Sequence, residues 1–190
     1  YFGQKNHNGV RDVFRMKILI GIAIIAISLS VMIFLHEPLI NMFLHEGSSS
    51  GNIQETFNYA KNYLYIMVIG IAPFVISNCY NTTLKESGQT VVPMKAGVLA
   101  VVFDIVLNYI FIFGKLGFPA MGVVGAAIAT VISRFVECGY LVIYTHRHSN
   151  DYPFIKHCYR TLKVPGSLVK KIIVTGTPLM LNEFLWAGGL

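Results

Sequence analysis

The stretch from Ile18 to Leu35 carries no charged residue, and neither do Asn62 to Leu84 or Leu116 to Ser133. Runs of this kind restrict the fold class before any motif is read. A helix needs ~20 mainly apolar residues to cross a hydrocarbon core of ~30 Å. Inside lipid, every backbone N–H and C=O must bond within the protein, which leaves helices and closed barrels. Only 13% of the residues are charged against 54% hydrophobic, and mean hydropathy is +0.59. Soluble domains carry about 25% charged residues. The chain therefore reads as all-α, a polytopic transmembrane helix bundle whose first partner is the lipid bilayer.

The net charge of +6 does not point to nucleic acid, because the basic residues are unevenly placed. Segment 1–17 carries Lys5, Arg11, Arg15 and Lys17. Segment 85–95 carries Lys85 and Lys95, and segment 146–171 carries Arg147, Lys156, Arg160, Lys163, Lys170 and Lys171. Between them, segment 36–60 has no Lys or Arg, and the turn 114–119 has only Lys115. Cytoplasmic loops carry the excess of Lys and Arg. The alternation places 1–17, 85–95 and 146–171 in the cytoplasm of a plasma (inner) membrane protein, with 36–60 and 114–119 outside.

Punctuation sets the expected spans. The first runs from about Ile18 to Leu35 and stops at His36-Glu37-Pro38, since proline disfavours helix at the residue before it. Segment 39–56 is expected to be an outer loop, with a short interfacial helix near Leu39–Leu44 and a flexible Gly47–Gly51 stretch. The second span, about Phe57 to Leu84, contains Pro73, a candidate hinge because proline removes a helix donor. The third covers about Val92 to Phe113 and the fourth about Pro119 to Thr145. Residues 146–171 read as a polar linker. A fifth span opens near Ile172. The organisation is thus 1–145 as one group of helices, 146–171 as a link and 172–190 as the first helix of a second group.

Charged groups inside spans are the functional candidates, because each costs at least ~2.5–3.5 kcal/mol at a helix centre. These are Asp104, Arg134, Glu137 and Glu183. At 1.5 Å per residue, Asp104 and Thr130 lie ~18 and ~21 Å from the outer turn near Leu116, and Glu183 falls at a similar depth counted from Lys171. Asp104 and Asn108 share a helix face. Gly122, Gly125, Ala126, Ala129 and Thr130 give the fourth span a small-residue face that admits close helix approach. Carboxylate, amide, hydroxyl and carbonyl are hard oxygen ligands suited to Na⁺, or to a proton on the carboxylate. The alternative for Asp104 is a protonated acid hydrogen-bonded for packing alone. Arg134 and Glu137 read as an i,i+3 pair nearer the cytoplasm. Glu183, beside Asn182 and Trp186 and following Pro178, is either a second proton or cavity site or a structural contact.

Enzyme chemistry has no foothold: there is no G-x-S-x-G, H-E-x-x-H or P-loop sequence. Cys79, Cys138 and Cys158 follow no metal or redox spacing, and the two within apolar runs are expected to be buried small hydrophobes.

The segment LNYIFIFGKLGFPAMGVVGAAIATVISR strongly resembles the fifth-to-sixth helix signature of the MATE family, the multidrug and toxic compound extrusion transporters. YFGQKN resembles the end of that family's second helix, Pro73 with TLKESGQTVVPMKAG its fourth helix and inner loop, and TGTPLMLNEFLWAGG its seventh. The resemblance implies part of a twelve-helix, two-lobe transporter, mostly the N-terminal lobe, running from the end of helix 2 to helix 7. It implies a monomeric, cation-coupled (Na⁺ or H⁺) secondary antiporter without cofactor, exporting organic, often cationic, drugs or metabolites by alternating access. Asp104, Asn108, the Ala126 carbonyl and Thr130 would line its cation site. The order Asp104 then Asn108 departs from the usual amide-first arrangement, and Trp186 stands where the seventh-helix acid often falls, three residues after Glu183. Other readings are a lipid-linked oligosaccharide flippase of related architecture, or a non-transporting membrane scaffold or channel.

Overall fold

The computed structural model describes the backbone of residues 7–46, 53–152, 154–155, 158, 164–187 and 189, and their side chains except at 7, 39, 42–46, 53–55, 179 and 187. Among these residues the chain forms α1 (His7–Glu46), α2 (Ile53–Glu86), α3 (Val91–Phe113), α4 (Gly122–Arg147) and α5 (Gly166–Ala187). The stretches Asn8–Pro38, Thr56–Glu86, Val91–Phe113 and Gly122–Arg147 are long and apolar enough to cross a membrane. The helix α5 is not among them. Its Thr175, Thr177, Asn182 and Glu183 dilute the apolar run expected from Ile172.

Several boundaries differ from the sequence reading: α1 already begins at His7 rather than near Ile18, and α4 begins at Gly122 rather than near Pro119. Pro38 does not stop α1; it lies inside a helix that continues to Glu46. An interior proline costs about 3 kcal/mol relative to alanine, but Ile40, two residues on, is buried, so packing holds the turn that propensity disfavours. The expected outer loop from residue 39 is therefore helical over its first residues, and Gly47–Gly51 lies outside the described residues. The fifth helix also starts at Gly166, before the lysines rather than after them.

The chain divides into two compact units, one of Tyr1–Leu19 with Ser149–Leu190 and one of Ile20–His148. In the first, Tyr152, Phe154, Ile155, Cys158 and Leu168 of the segment read as a linker are buried. Phe14 is fully buried and meets Phe154 edge-on at 5.5 Å between ring centroids. Arg15 Nε donates to the Cys158 carbonyl at 2.9 Å, and its Nη1 pairs with Asp12 at 3.1 Å.

In the second unit, α4 packs along both α2 and α3, which scarcely meet each other. Gly21 of α1 sits against Val75 and Cys79 of α2. Four polar residues of α2 bond to carbonyls of their own helix, whereas the buried Asn81 Oδ1 has no partner among the described residues. Ser77 donates to Pro73 O at 2.8 Å, Asn78 to Phe74 O at 3.0 Å, Thr82 to Asn78 O at 2.8 Å and Thr83 to Cys79 O at 2.8 Å. Such back-bonding lets hydroxyls and amides sit in a span. The helix runs unbroken through a buried Pro73. Cys79 and Cys138, expected to be buried, are only half-buried, while Cys158 from the polar segment is fully buried.

Between α3 and α4 the turn is tight. Gly114 takes φ 64°, and both Gly114 and Lys115 donate their N–H to Ile110 O. Met121 then donates to Phe111 O at 2.9 Å, bringing the chain back on itself. This hairpin sets the register of the site.

Candidate functional site

The face α3 offers to the protein follows directly from spacing. Ala96, Ala100 and Phe111 are buried and Asp104 and Asn108 half-buried, while Val98, Val101, Val102, Ile105 and Val106 are exposed. These sets fall on opposite sides of a 3.6-residue helix. Asp104 therefore lies on the packed side.

On α4, Gly125, Ala129 and Ser133 are buried at i,i+4 steps. A Cβ at Gly125 would stand 2.8 Å from the Phe111 backbone, so the two helix backbones touch there. Two turns further along, Ser133 Oγ lies 3.3 Å from Asp104 Oδ1 and donates to Thr130 O at 2.8 Å. The antiparallel register thus brings Asp104 against Ser133, a residue the sequence reading passed over. The small-residue stripe was the available signal: one more four-residue step beyond Gly125 and Ala129 gives Ser133.

The expected ligands fall around this contact unequally. Thr130 joins through its carbonyl, which shares Ser133 with Asp104. Among the described residues, neither the Asn108 amide nor the Thr130 hydroxyl makes a side-chain hydrogen bond, and both residues are half-buried, as is Ala126. Among the same residues no three His, Cys, Asp or Glu side chains cluster as metal ligands. The contact shown for Asp104 is a neutral hydroxyl, that of Ser133, and hard oxygen donors of this kind suit an alkali cation or a proton.

Arg134 and Glu137 form the expected pair, at 3.3 Å. The helix α4 extends from Gly122 to Arg147, which puts Arg134 at its midpoint. The guanidinium lies over the Phe74 ring of α2, 4.8 Å from its centroid. Neighbouring residues of α4 thereby reach both partner helices, Ser133 toward α3 and Arg134 toward α2. Glu183, Asn182 and Trp186 lie on α5, all exposed.

A MatE family profile matches residues 1–110, a range that includes Asp104 and Asn108. The chain is 32% identical over 190 residues to "Probable multidrug resistance protein NorM" of Thermotoga maritima, covering 99% of this chain and 38% of that protein. It is 30% identical over 140 residues to "Probable multidrug resistance protein YoeA" of Bacillus subtilis, covering 73% of this chain and 29% of that protein. It is 31% identical over 171 residues to a further "Probable multidrug resistance protein NorM" from Halalkalibacterium halodurans, covering 89% of this chain and 34% of that protein. The chain thus spans about a third of the length of these curated relatives. No solved structure matches it. Membrane-length helices and a profile covering more than half the chain lead to one assignment: this integral membrane protein belongs to the MatE family.

Proposed function

We propose that these helices serve a membrane exporter of drug-like organic molecules, driven by antiport of Na⁺ or H⁺. The reading is of a transporter rather than an enzyme. The names of the relatives support the export of drugs, and the observation that carries the coupling is the Asp104–Ser133 contact. A carboxylate on the packed face of a membrane helix is costly, and its one hydrogen-bond partner among the described residues is the neutral Ser133 hydroxyl. Binding of a proton or Na⁺ removes that cost.

In this reading Asp104 takes the coupling ion, aided by Ser133, the Thr130 and Ala126 carbonyls and the Asn108 amide. Occupancy draws α3 and α4 together, and emptying the site loosens them. The ion drives transport only through its different affinity for the inward-open and outward-open states. Pro73 of α2 is a candidate hinge between those states, and Glu183, Asn182 and Trp186 a second polar region on α5. The domain reading retains 1–145 as helices of one lobe, 146–171 as the cytoplasmic link and 172–190 as the start of the other. Segments 1–17, 85–95 and 146–171 face the cytoplasm of a plasma-membrane protein acting as a monomer.

The test is Asp104→Asn in the full-length protein. Gradient-driven efflux should fall to background while membrane insertion is unchanged. Efflux at the unaltered rate would sink the assignment of Asp104.

A further inference from the structure

Arg134 has no role in the ion site, yet it stands at the midpoint of α4, thirteen residues before Arg147, or about 20 Å along the helix axis. Snorkelling serves residues near helix ends, so it does not account for a guanidinium at this depth. Nor is the side chain consumed by packing. It is 41% exposed, against 12% for Glu137. Of the five N–H donors of a guanidinium, the Glu137 contact engages Nη1 alone. Among the described residues the rest make no hydrogen bond. Lipid cannot fill those donors. The Phe74 ring beneath is itself 43% exposed, which leaves an aromatic edge beside a cation with free donors.

Resting on the export reading, we propose that Arg134 and Phe74 form a substrate-recognition site selecting aromatic anions, sulfonates or carboxylates whose ring lies beside Phe74. A planar guanidinium binds such oxyanions in two-point fashion, and the ring beneath holds it flat for the purpose. Glu137 is the internal competitor: it occupies the guanidinium until a substrate anion displaces it. Removing Glu137 therefore strengthens anion binding, whereas removing Arg134 abolishes it. A pair that merely ties the helix together has no such opposite signs.

The experiment reconstitutes the full-length protein in vesicles of phosphatidylcholine alone, so that no anionic lipid competes. Gradient-driven flux is measured for two probes sharing one ring system, naphthalenesulfonate and naphthyltrimethylammonium. Arg134→Gln should raise KM for the sulfonate ten- to a hundredfold, as expected for a lost charge-assisted contact, and leave the ammonium probe unaffected. Glu137→Gln should lower KM for the sulfonate several-fold, and Arg134→Lys should fall between wild type and glutamine. If Arg134→Gln fails to insert, the lysine and Glu137 variants carry the test. Sulfonate flux unchanged in Arg134→Gln, or equal impairment of both probes in the Arg134 and Glu137 variants, overturns the inference. Wild-type flux of the ammonium alone overturns it while leaving export standing. An absence of any gradient-driven flux removes the export reading itself.

Discussion

Ser133 Oγ lies 3.3 Å from Asp104 Oδ1 across the α3–α4 interface and 2.8 Å from Thr130 O within its own helix. A hydroxyl has one proton to give and lone pairs to spare. With the proton on the shorter contact, the oxygen is free to accept from a protonated Asp104 or to face a cation there. Loss of one such contact is worth ~1 kcal/mol. Ser133→Ala should therefore weaken the coupling ion about five- to tenfold, with expression and insertion retained. The measurement is the ion concentration giving half-maximal efflux. An unchanged midpoint would remove Ser133 from the site.

Gly125 predicts a structural failure rather than a chemical one. A Cβ there would meet Phe111 C and O at 2.8 Å, and a helix backbone cannot step aside as a flexible side chain can. Gly125→Ala should lower stability by ~1–3 kcal/mol, the usual cost of overpacking, and Gly125→Leu by more. Thermal unfolding of detergent-purified protein measures it. Because Ser133 lies two turns away on the same face, both substitutions should also weaken the ion site. Full stability in Gly125→Ala would contradict the close approach.

How much of this was legible differs from residue to residue. The span expected at about Val92 to Phe113 is α3 nearly to the residue, because glycines at 88 and 114 bracket a mainly apolar run. Pro38 misled because local preference says nothing about the packing that buries Ile40. Asp104 was legible as a costly charge, but its partner was not. Which residue faces Asp104 depends on the register between two helices, and the turn geometry at Gly114 and Met121 sets that register. Nothing in the sequence singles out Phe74; its pairing with Arg134 depends on how α2 packs on α4.

The α3–α4 turn itself gives a third test. Gly114 has φ 64°, and a Cβ would stand 2.6 Å from Ala120 N. An ordinary residue pays roughly 1–2 kcal/mol for the left-handed conformation alone, before the clash is counted. Gly114→Ala should destabilise the hairpin more than an alanine at Gly117. That position also has positive φ, at 87°, but open space around it. Comparing the two melting temperatures separates strain from clash, and equal losses would mean that the Ala120 contact is absent.

Cys158 supplies a test outside the membrane spans. It is fully buried beside Arg15, whose Nε bonds its carbonyl. Burial pushes its thiol up from the ordinary value, and the Arg15 charge opposes this only in part. Thiolate is the reactive form, so with Cys79 and Cys138 replaced by serine, maleimide should label Cys158 slowly at neutral pH and rapidly only after denaturation. The sign for stability follows from linkage. The unfolded thiol ionises at lower pH than the folded one, so the stabilisation is complete below the unfolded pKa and is lost as alkaline pH rises through the folded pKa. Arg15→Met should leave the thiol buried but remove the opposing charge. The thiol pKa should then rise and labelling slow further, provided Phe14 and Phe154 hold the packing. Fast labelling of the native protein at neutral pH would show that Cys158 is not enclosed.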